Sequence, residues 1–154
     1  MYQIGRLRAF TLIEVLVFTG LLISISTIAV VLATPQLLRE RSENTAREIA
    51  SAVSGQQQSA YSGLYGKSYG VKFNNSWYST FVGDSWDTRE SEDTFEFQAG
   101  TTIEEVDLTG GGTEVIFASE AIIPSTSGEI VLAAGEETYA VTINSQGLID
   151  YEAL

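Results

Sequence analysis

The hydrophobic pattern of the chain changes twice along its length. No charged side chain occurs from Val15 to Leu38, and Leu, Ile, Val and Ala make up most of this run. A helical spacing of apolar residues follows, at Leu38, Ala46, Ile49, Ala50, Val53 and Ala60. From Lys67 onward the period becomes two, which is typical of half-buried strands. The pattern predicts an apolar helix, an amphipathic continuation and a β-rich remainder.

The uncharged run of 24 residues predicts a transmembrane helix, because about 20 apolar residues cross a bilayer core. A secretory signal peptide is the alternative, but its apolar stretch is shorter and ends in a small-residue cleavage site. Basic residues lie on both sides of the run, so charge counting alone leaves its orientation open. At Pro35 we expect a kink or a short break, because proline lacks the amide hydrogen.

The amphipathic segment carries balanced charges opposite its apolar stripe, at Arg39, Glu40, Arg41, Glu43, Arg47 and Glu48. It is expected to end near Gly63, where glycine becomes frequent. A helix from Phe10 to Ser62 would be about 80 Å long.

The remainder predicts antiparallel strands. "KSYGVKF" and "SWYSTFV" flank Asn74 and Asn75 and favour a hairpin whose turn tolerates positive φ. "TFEFQA", "TTIEEVDL" and "TEVIFA" are further strand candidates, and three strands are predicted in "GEIVLAAGEETYAVTINSQGLIDY". We expect the apolar face of this meander, with Tyr139, Val141 and Ile143, to pack on the helix.

Charge and composition narrow the function. The chain has 8 basic and 20 acidic residues, a net charge of -12, and no His or Cys. From Lys67 to Leu154 the net charge is -13, which opposes nucleic-acid binding. Without Cys or His there is no Ser-His or Cys-His pair and no imidazole or thiolate zinc site. We therefore expect no enzyme activity, no catalytic residue, no cofactor and no metal.

Three segments contain residue types that occur in known kinds of binding site. Five carboxylates lie within 84–93, but their spacing differs from a calcium loop, so a solvated loop is favoured. "TGGGT" at 109–113 lacks the Lys of a phosphate loop and favours a flexible turn. Trp77, Tyr78 and Trp86 are compatible with a sugar or partner surface, although aromatic residues in strands more often belong to the core.

"RLRAFTLIEVLVFTGLL" resembles the class III signal of type IV prepilins. The resemblance implies that a prepilin peptidase cuts between Ala9 and Phe10, that the new Phe10 amine is methylated, and that the N-terminus lies inside. Glu14 then becomes the fifth residue of the mature chain. Ala9 stands where the family usually has Gly, so processing is expected to be retained at a lower rate.

Glu14 has two interpretations. A carboxylate inside a membrane is costly and normally faces an opposite charge, and a free amine at Phe10 would be largely protonated at neutral pH. This amine would pair with the Glu14 carboxylate either within one helix or between neighbouring helices. The resemblance favours pairing between helices during assembly. Alternatively, Glu14 lies in the headgroup region without a specific role.

The segment "EVIFASEAIIPSTSGEIVLAAGEETYAVTINSQGLIDY" is similar to the C-terminal pattern of GspH/FimT-type minor pseudopilins. The resemblance implies an α+β type IV pilin fold, in which a long N-terminal helix with a membrane-spanning first half packs on a C-terminal antiparallel sheet domain. It divides the chain into a cleaved leader (1–9), a transmembrane and filament-core helix (10–34), an amphipathic helix (35–63) and an acidic head (64–154).

The implied function is a structural subunit of a type IV pilus or type II secretion pseudopilus. A ligand-binding minor pilin and a bitopic membrane protein that does not polymerise remain alternatives. The implied partners are the prepilin peptidase, other pilin subunits, the assembly platform with its ATPase, and membrane lipid, but not nucleic acid. The implied location is the cytoplasmic (inner) membrane as a single-pass protein, and then a periplasmic or cell-surface filament.

Overall fold

The fold is described from a computed structural model that covers residues 11–135 and 137–154, with side chains described everywhere in these ranges except 28–39. Two short 3₁₀ helices (Leu64–Gly66 and Trp86–Thr88), one α-helix and eight strands are assigned within these ranges: α1 (Leu12–Tyr61), β1 (Tyr69–Asn74), β2 (Trp77–Val82), β3 (Ser91–Glu96), β4 (Thr101–Leu108), β5 (Glu114–Phe117), β6 (Gly128–Ala134), β7 (Glu137–Ile143) and β8 (Ile149–Ala153). Two compact units divide between Gln36 and Leu37, and each is described by itself.

The strands form two antiparallel four-stranded sheets. The first has the order β3-β2-β1-β5 and the second the order β4-β6-β7-β8. β1 and β2 form the hairpin predicted around the asparagines, with Asn74 opposite Trp77. The hairpin turn does not use the positive φ that asparagine tolerates, since Asn75 has a negative φ. Instead, the Asn75 side chain donates to the Ile103 carbonyl at 2.8 Å and so joins the two sheets.

The core of the second unit lies between α1 and both sheets. The predicted helical stripe is confirmed at Ala46, Ile49, Ala50, Val53 and Ala60, all of which are buried. These side chains belong to one cluster with residues of the first sheet (Val71, Phe73, Val115, Phe117) and of the second (Ile130, Leu132, Val141, Ile143). The period-two pattern of β7 therefore does face the helix, since Tyr139, Val141 and Ile143 are buried.

The C-terminal end of α1 is held by groups distant in sequence. Gly63 adopts a left-handed conformation (φ 65°), which ends a helix without the Cβ penalty that other residues pay there. The Ala60 carbonyl accepts from the Gly63 amide at 2.9 Å and from the Glu120 amide at 2.8 Å. Gln57 donates its side-chain amide to the carbonyls of Ile122 (2.8 Å) and Gly147 (2.7 Å). Two loops are thereby fixed to one turn of the helix.

The expected type IV pilin fold, with a membrane-spanning first half of the helix, was wrong. Among the residues that the structure describes, no helix is both apolar enough and long enough to cross a membrane. The β-domain also differs from a single sheet, because β4 pairs with β6 instead of extending the edge at β3. The second unit is a small α+β domain.

The expected location in the cytoplasmic (inner) membrane as a single-pass protein was wrong on the same finding. At Pro35 the helical assignment continues without interruption, and the side chain lies outside the described set. A change of helix direction at Pro35 stays a prediction.

Candidate functional site

The first turn of α1 contains a reciprocal hydrogen-bonded cap. Glu14 Oε2 accepts from the Thr11 amide at 3.1 Å and from Thr11 Oγ1 at 3.1 Å. The Glu14 amide donates in turn to Thr11 Oγ1 at 3.3 Å. Thr-Leu-Ile-Glu is therefore a capping box, in which the side chains of the first and fourth residues satisfy each other's backbone amides. Its carboxylate also lies at the positive end of the helix dipole, which stabilises it.

This cap gives Glu14 a role that needs neither a membrane nor a second chain. Sequence reasoning missed it, although the Thr-x-x-Glu spacing before an apolar run was visible. Pairing between Glu14 and a free Phe10 amine stays a prediction. The cleavage site at Ala9 and Phe10, and the methylation of Phe10, lie outside the described residues.

Beyond the cap, the helix is apolar and exposed on every side. All side chains from Thr11 to Thr27 are exposed. They include ten large apolar residues: Leu12, Ile13, Val15, Leu16, Val17, Phe18, Leu21, Leu22, Ile23 and Ile25. Monomeric proteins rarely expose a contiguous apolar surface larger than a few hundred Å². Exposed apolar surfaces of this kind commonly mark interaction sites.

The hydroxyl side chains of the same segment are compatible with burial in an apolar environment. Thr19 donates to the Val15 carbonyl at 2.9 Å, and Ser24 to the Gly20 carbonyl at 3.0 Å. Ser26 and Thr27 bond back to the preceding turn in the same way, at 2.8 and 2.9 Å. Because each hydroxyl is satisfied within its own helix, burying this surface leaves no hydroxyl without a partner. Glu14 is the one charged side chain between residues 11 and 27.

The second unit contains a groove of about 440 Å³ between α1 and the end of β3. Arg41, Asn44, Thr45 and Glu48 line it from the helix. Residues 94–98 line the opposite wall, and Tyr78 contributes from β2. The Tyr78 ring stacks on Phe95, with centroids 5.0 Å apart and planes inclined by 17°. The groove therefore has an aromatic surface with charged groups on its helical side.

Tyr78 is the one described residue with a clearly perturbed acidity. Burial raises the pKa of Tyr78 to about 12, and the Glu48 carboxylate contributes in the same direction. Its phenol stays protonated at physiological pH and is available as a hydrogen-bond donor. No hydrogen bond links this hydroxyl to another described residue.

The five acidic side chains of segment 84–93 are all exposed, as expected, but residues 91–93 belong to β3 and the residues before them contact the first sheet. Trp86 contacts the Phe81 ring edge-on at 5.6 Å, and Arg89 lies 3.9 Å above the Trp86 ring. Glu92 pairs with Arg89. The side chain of Ser68 donates to Asp84 at 2.6 Å. No group of three or more acidic side chains in the described ranges is arranged to hold a metal ion.

The three aromatic residues singled out in the sequence separate in space. Tyr78 is buried towards α1. Trp77 and Trp86 lie together on the other face, with ring centroids 5.8 Å apart, and both are half-buried. They do not form one binding surface with Tyr78. The groove was not predicted, because it depends on β3 passing beside a helix about fifty residues earlier in the chain.

Comparison of the chain with protein-family models, with curated protein sequences and with solved structures found no match.

Proposed function

We propose that this protein is a structural subunit of a filament of the type IV pilin or pseudopilin kind, in which copies associate through the exposed apolar part of α1. The observation that carries the proposal is that every side chain from residue 11 to 27 is exposed although most are large and apolar. A second copy of the same helix offers a matching surface. The resemblance of residues 6–22 to a prepilin signal also indicates that the partner is another pilin-like chain.

The free energy available from burying these apolar side chains supports association of the helices. The ten large apolar side chains are between 48% and 85% exposed. Fully burying one such side chain contributes about 1.5–3 kcal/mol, so burying the exposed part of all ten would contribute roughly 10–20 kcal/mol. Association costs about 4–15 kcal/mol in lost freedom. The gain exceeds the cost over most of these two ranges, which favours a stable assembly of helices that are each surrounded by several copies.

Glu14 restricts how the helices are arranged. Its Oε2 atom accepts hydrogen bonds from the Thr11 amide and hydroxyl, but neither of these neutral donors supplies a positive charge. Inside a bundle of apolar helices an unpaired charge is costly, so it requires a cation. The free amine that cleavage after Ala9 would create at Phe10 meets this requirement, and it does so only in processed chains. Assembly would thus follow cleavage.

The capping box allows the charge of Glu14 to be tested separately from its hydrogen bonds. Glu14→Gln keeps a side chain that accepts from the Thr11 amide, since Gln also forms capping boxes, but it removes the charge. Glu14→Ala removes both. Thr11→Val removes the hydroxyl of the box and keeps the charge. Each variant is expressed with the prepilin peptidase and assembly machinery, and its incorporation into sheared filaments is measured by immunoblot.

We expect Glu14→Gln and Glu14→Ala to be expressed and cleaved normally but to be lost from filaments, and Thr11→Val to be incorporated. If Glu14→Gln is incorporated like the native chain, the pairing role is refuted. If only Thr11→Val and Glu14→Ala fail, the function of Glu14 is helix capping. Mass spectrometry of the chain from the same cells gives an independent check. An intact leader of residues 1–9 in the presence of active peptidase would refute the filament proposal.

A further inference from the structure

The strand β3 forms an edge of the first sheet that no other described strand covers. It pairs only with β2, and all six of its side chains are exposed. Just beyond its end, the Phe97 amide donates to the Ser76 carbonyl at 3.0 Å. Alternation along an antiparallel pair then directs the N–H and C=O groups of Glu92, Thr94 and Glu96 outward. These groups are a template for another strand.

The free edge borders the groove beside α1. Phe95 is 42% exposed in β3 and stacks on Tyr78, so one side of its ring is available to a ligand. The groove of about 440 Å³ is large enough for one aromatic or large aliphatic side chain. A strand added to β3 would direct the side chain opposite Phe95 onto the same face of the sheet, towards this groove.

The charges on β3 define the partner. Glu92, Asp93 and Glu96 are three carboxylates within six residues. Glu92 pairs with Arg89, whereas Asp93 and Glu96 form no ion pair with another described residue. Like charges placed opposite each other destabilise a strand pair, so a second copy of β3 is disfavoured. A strand with Lys or Arg opposite these carboxylates is favoured.

We propose that β3 and the adjoining groove bind an extended basic segment of a partner protein, which adds to the free edge as a fifth strand. The segment carries Lys or Arg opposite Asp93 and Glu96, and an aromatic or large aliphatic side chain opposite Phe95. Backbone hydrogen bonds supply affinity, and the pocket and the charges supply specificity. The interaction does not depend on filament assembly through α1.

The test uses the full chain in detergent micelles, which cover the exposed apolar helix. The probe is a fluorescent peptide with the central sequence Lys-Phe-Thr-Lys-Lys, which matches β3 in antiparallel register, and binding is followed by fluorescence anisotropy at low salt. A second peptide carries N-methyl groups on the amides that would face Glu92, Thr94 and Glu96. It keeps the charge and the aromatic ring but cannot form the strand bonds.

We expect the N-methylated peptide and a peptide with Glu in place of Lys to bind at least tenfold more weakly. The protein variants Glu96→Lys and Phe95→Ala are expected to weaken binding of the original peptide at least tenfold. Glu152→Lys reverses an exposed charge of the same sign on β8, an edge strand of the other sheet, and is expected to leave binding within twofold. Circular dichroism confirms that each variant is folded.

Amide hydrogen exchange measures strand addition directly. On peptide binding we expect slower exchange at Thr94 and Glu96, while β8 amides are unchanged. Equal binding of the N-methylated peptide would overturn strand addition and leave charge attraction only. No binding of the original peptide to the folded native chain, or an equal loss in Glu152→Lys and Glu96→Lys, would overturn the site.

Discussion

Replacing Gly147 by alanine tests how the β7–β8 hairpin is attached to the helix. Gly147 has a φ of 86°, in the left-handed region that favours glycine. A Cβ atom at this position would lie 2.4 Å from the Ile122 carbonyl oxygen and 2.6 Å from Gln57 Nε2. Both atoms belong to the hydrogen bonds that fix two loops to α1. The substitution therefore imposes backbone strain and also displaces the Gln57 amide.

The two contributions have separate magnitudes. The left-handed conformation costs a residue with a Cβ about 1–2 kcal/mol. Loss of the two Gln57 bonds costs about 0.5–1.5 kcal/mol each. Gly147→Ala is thus expected to lower the free energy of unfolding by about 2–5 kcal/mol. Gly110→Ala is the matched control, because Gly110 has a φ of 94° but nothing lies within 4 Å of its Cβ position. It is expected to cost about 1–2 kcal/mol.

The free energy of unfolding is measured by denaturant titration of the full chain in detergent, followed by Trp fluorescence and circular dichroism. Repeating Gly147→Ala in a Gln57→Ala background gives the coupling energy of the two residues. We expect the combined loss to be smaller than the sum of the single losses. Equal costs for Gly147→Ala and Gly110→Ala, or strict additivity with Gln57→Ala, would refute the described contact.

Two further predictions concern the first sheet. A Cβ at Gly70 would lie 2.4 Å from the buried Phe81 ring. Gly70→Ala is therefore expected to lower the free energy of unfolding by about 1–3 kcal/mol in the same titration, and Phe81→Leu is expected to restore part of this loss. A change below about 0.5 kcal/mol would contradict the contact. Because the pKa of Tyr78 is raised to about 12 by burial and by Glu48, stability is kept below pH about 10 and lost as pH rises to about 12. Comparison with Tyr78→Phe isolates this loss, which is expected to be about 2–3 kcal/mol, and parallel alkaline profiles of the two proteins would contradict it.

The elements of the fold were largely predictable from local pattern. The helical stripe from Ala46 to Val53 and the period-two segments each correspond to described elements, because residues on one face of a helix or strand are buried together. The pairing of the strands was not predictable. Whether β4 extends the edge at β3 or pairs with β6 depends on long-range contacts, which a periodic pattern does not specify.

The two candidate sites also differ in how far the sequence alone could predict them. The Thr11–Glu14 cap spans four consecutive residues, and its Thr-x-x-Glu spacing is visible in the sequence. The sequence-based prediction for Glu14 instead paired its carboxylate with the Phe10 amine. The groove combines a helix turn around Glu48 with residues 94–98. Only packing of the intervening sheet brings these two segments together.

The sequence by itself determined the apolar helix and its amphipathic continuation, the β-rich remainder, and the acidity of the head, because these follow from residue type and spacing along the chain. The tertiary structure decided which surfaces are left open. It divided the strands between two sheets, left β3 as an exposed edge beside an aromatic groove, and brought Gln57 to two loop carbonyls. Such features arise where segments distant in sequence meet, and their energies are set by contacts that no local pattern specifies.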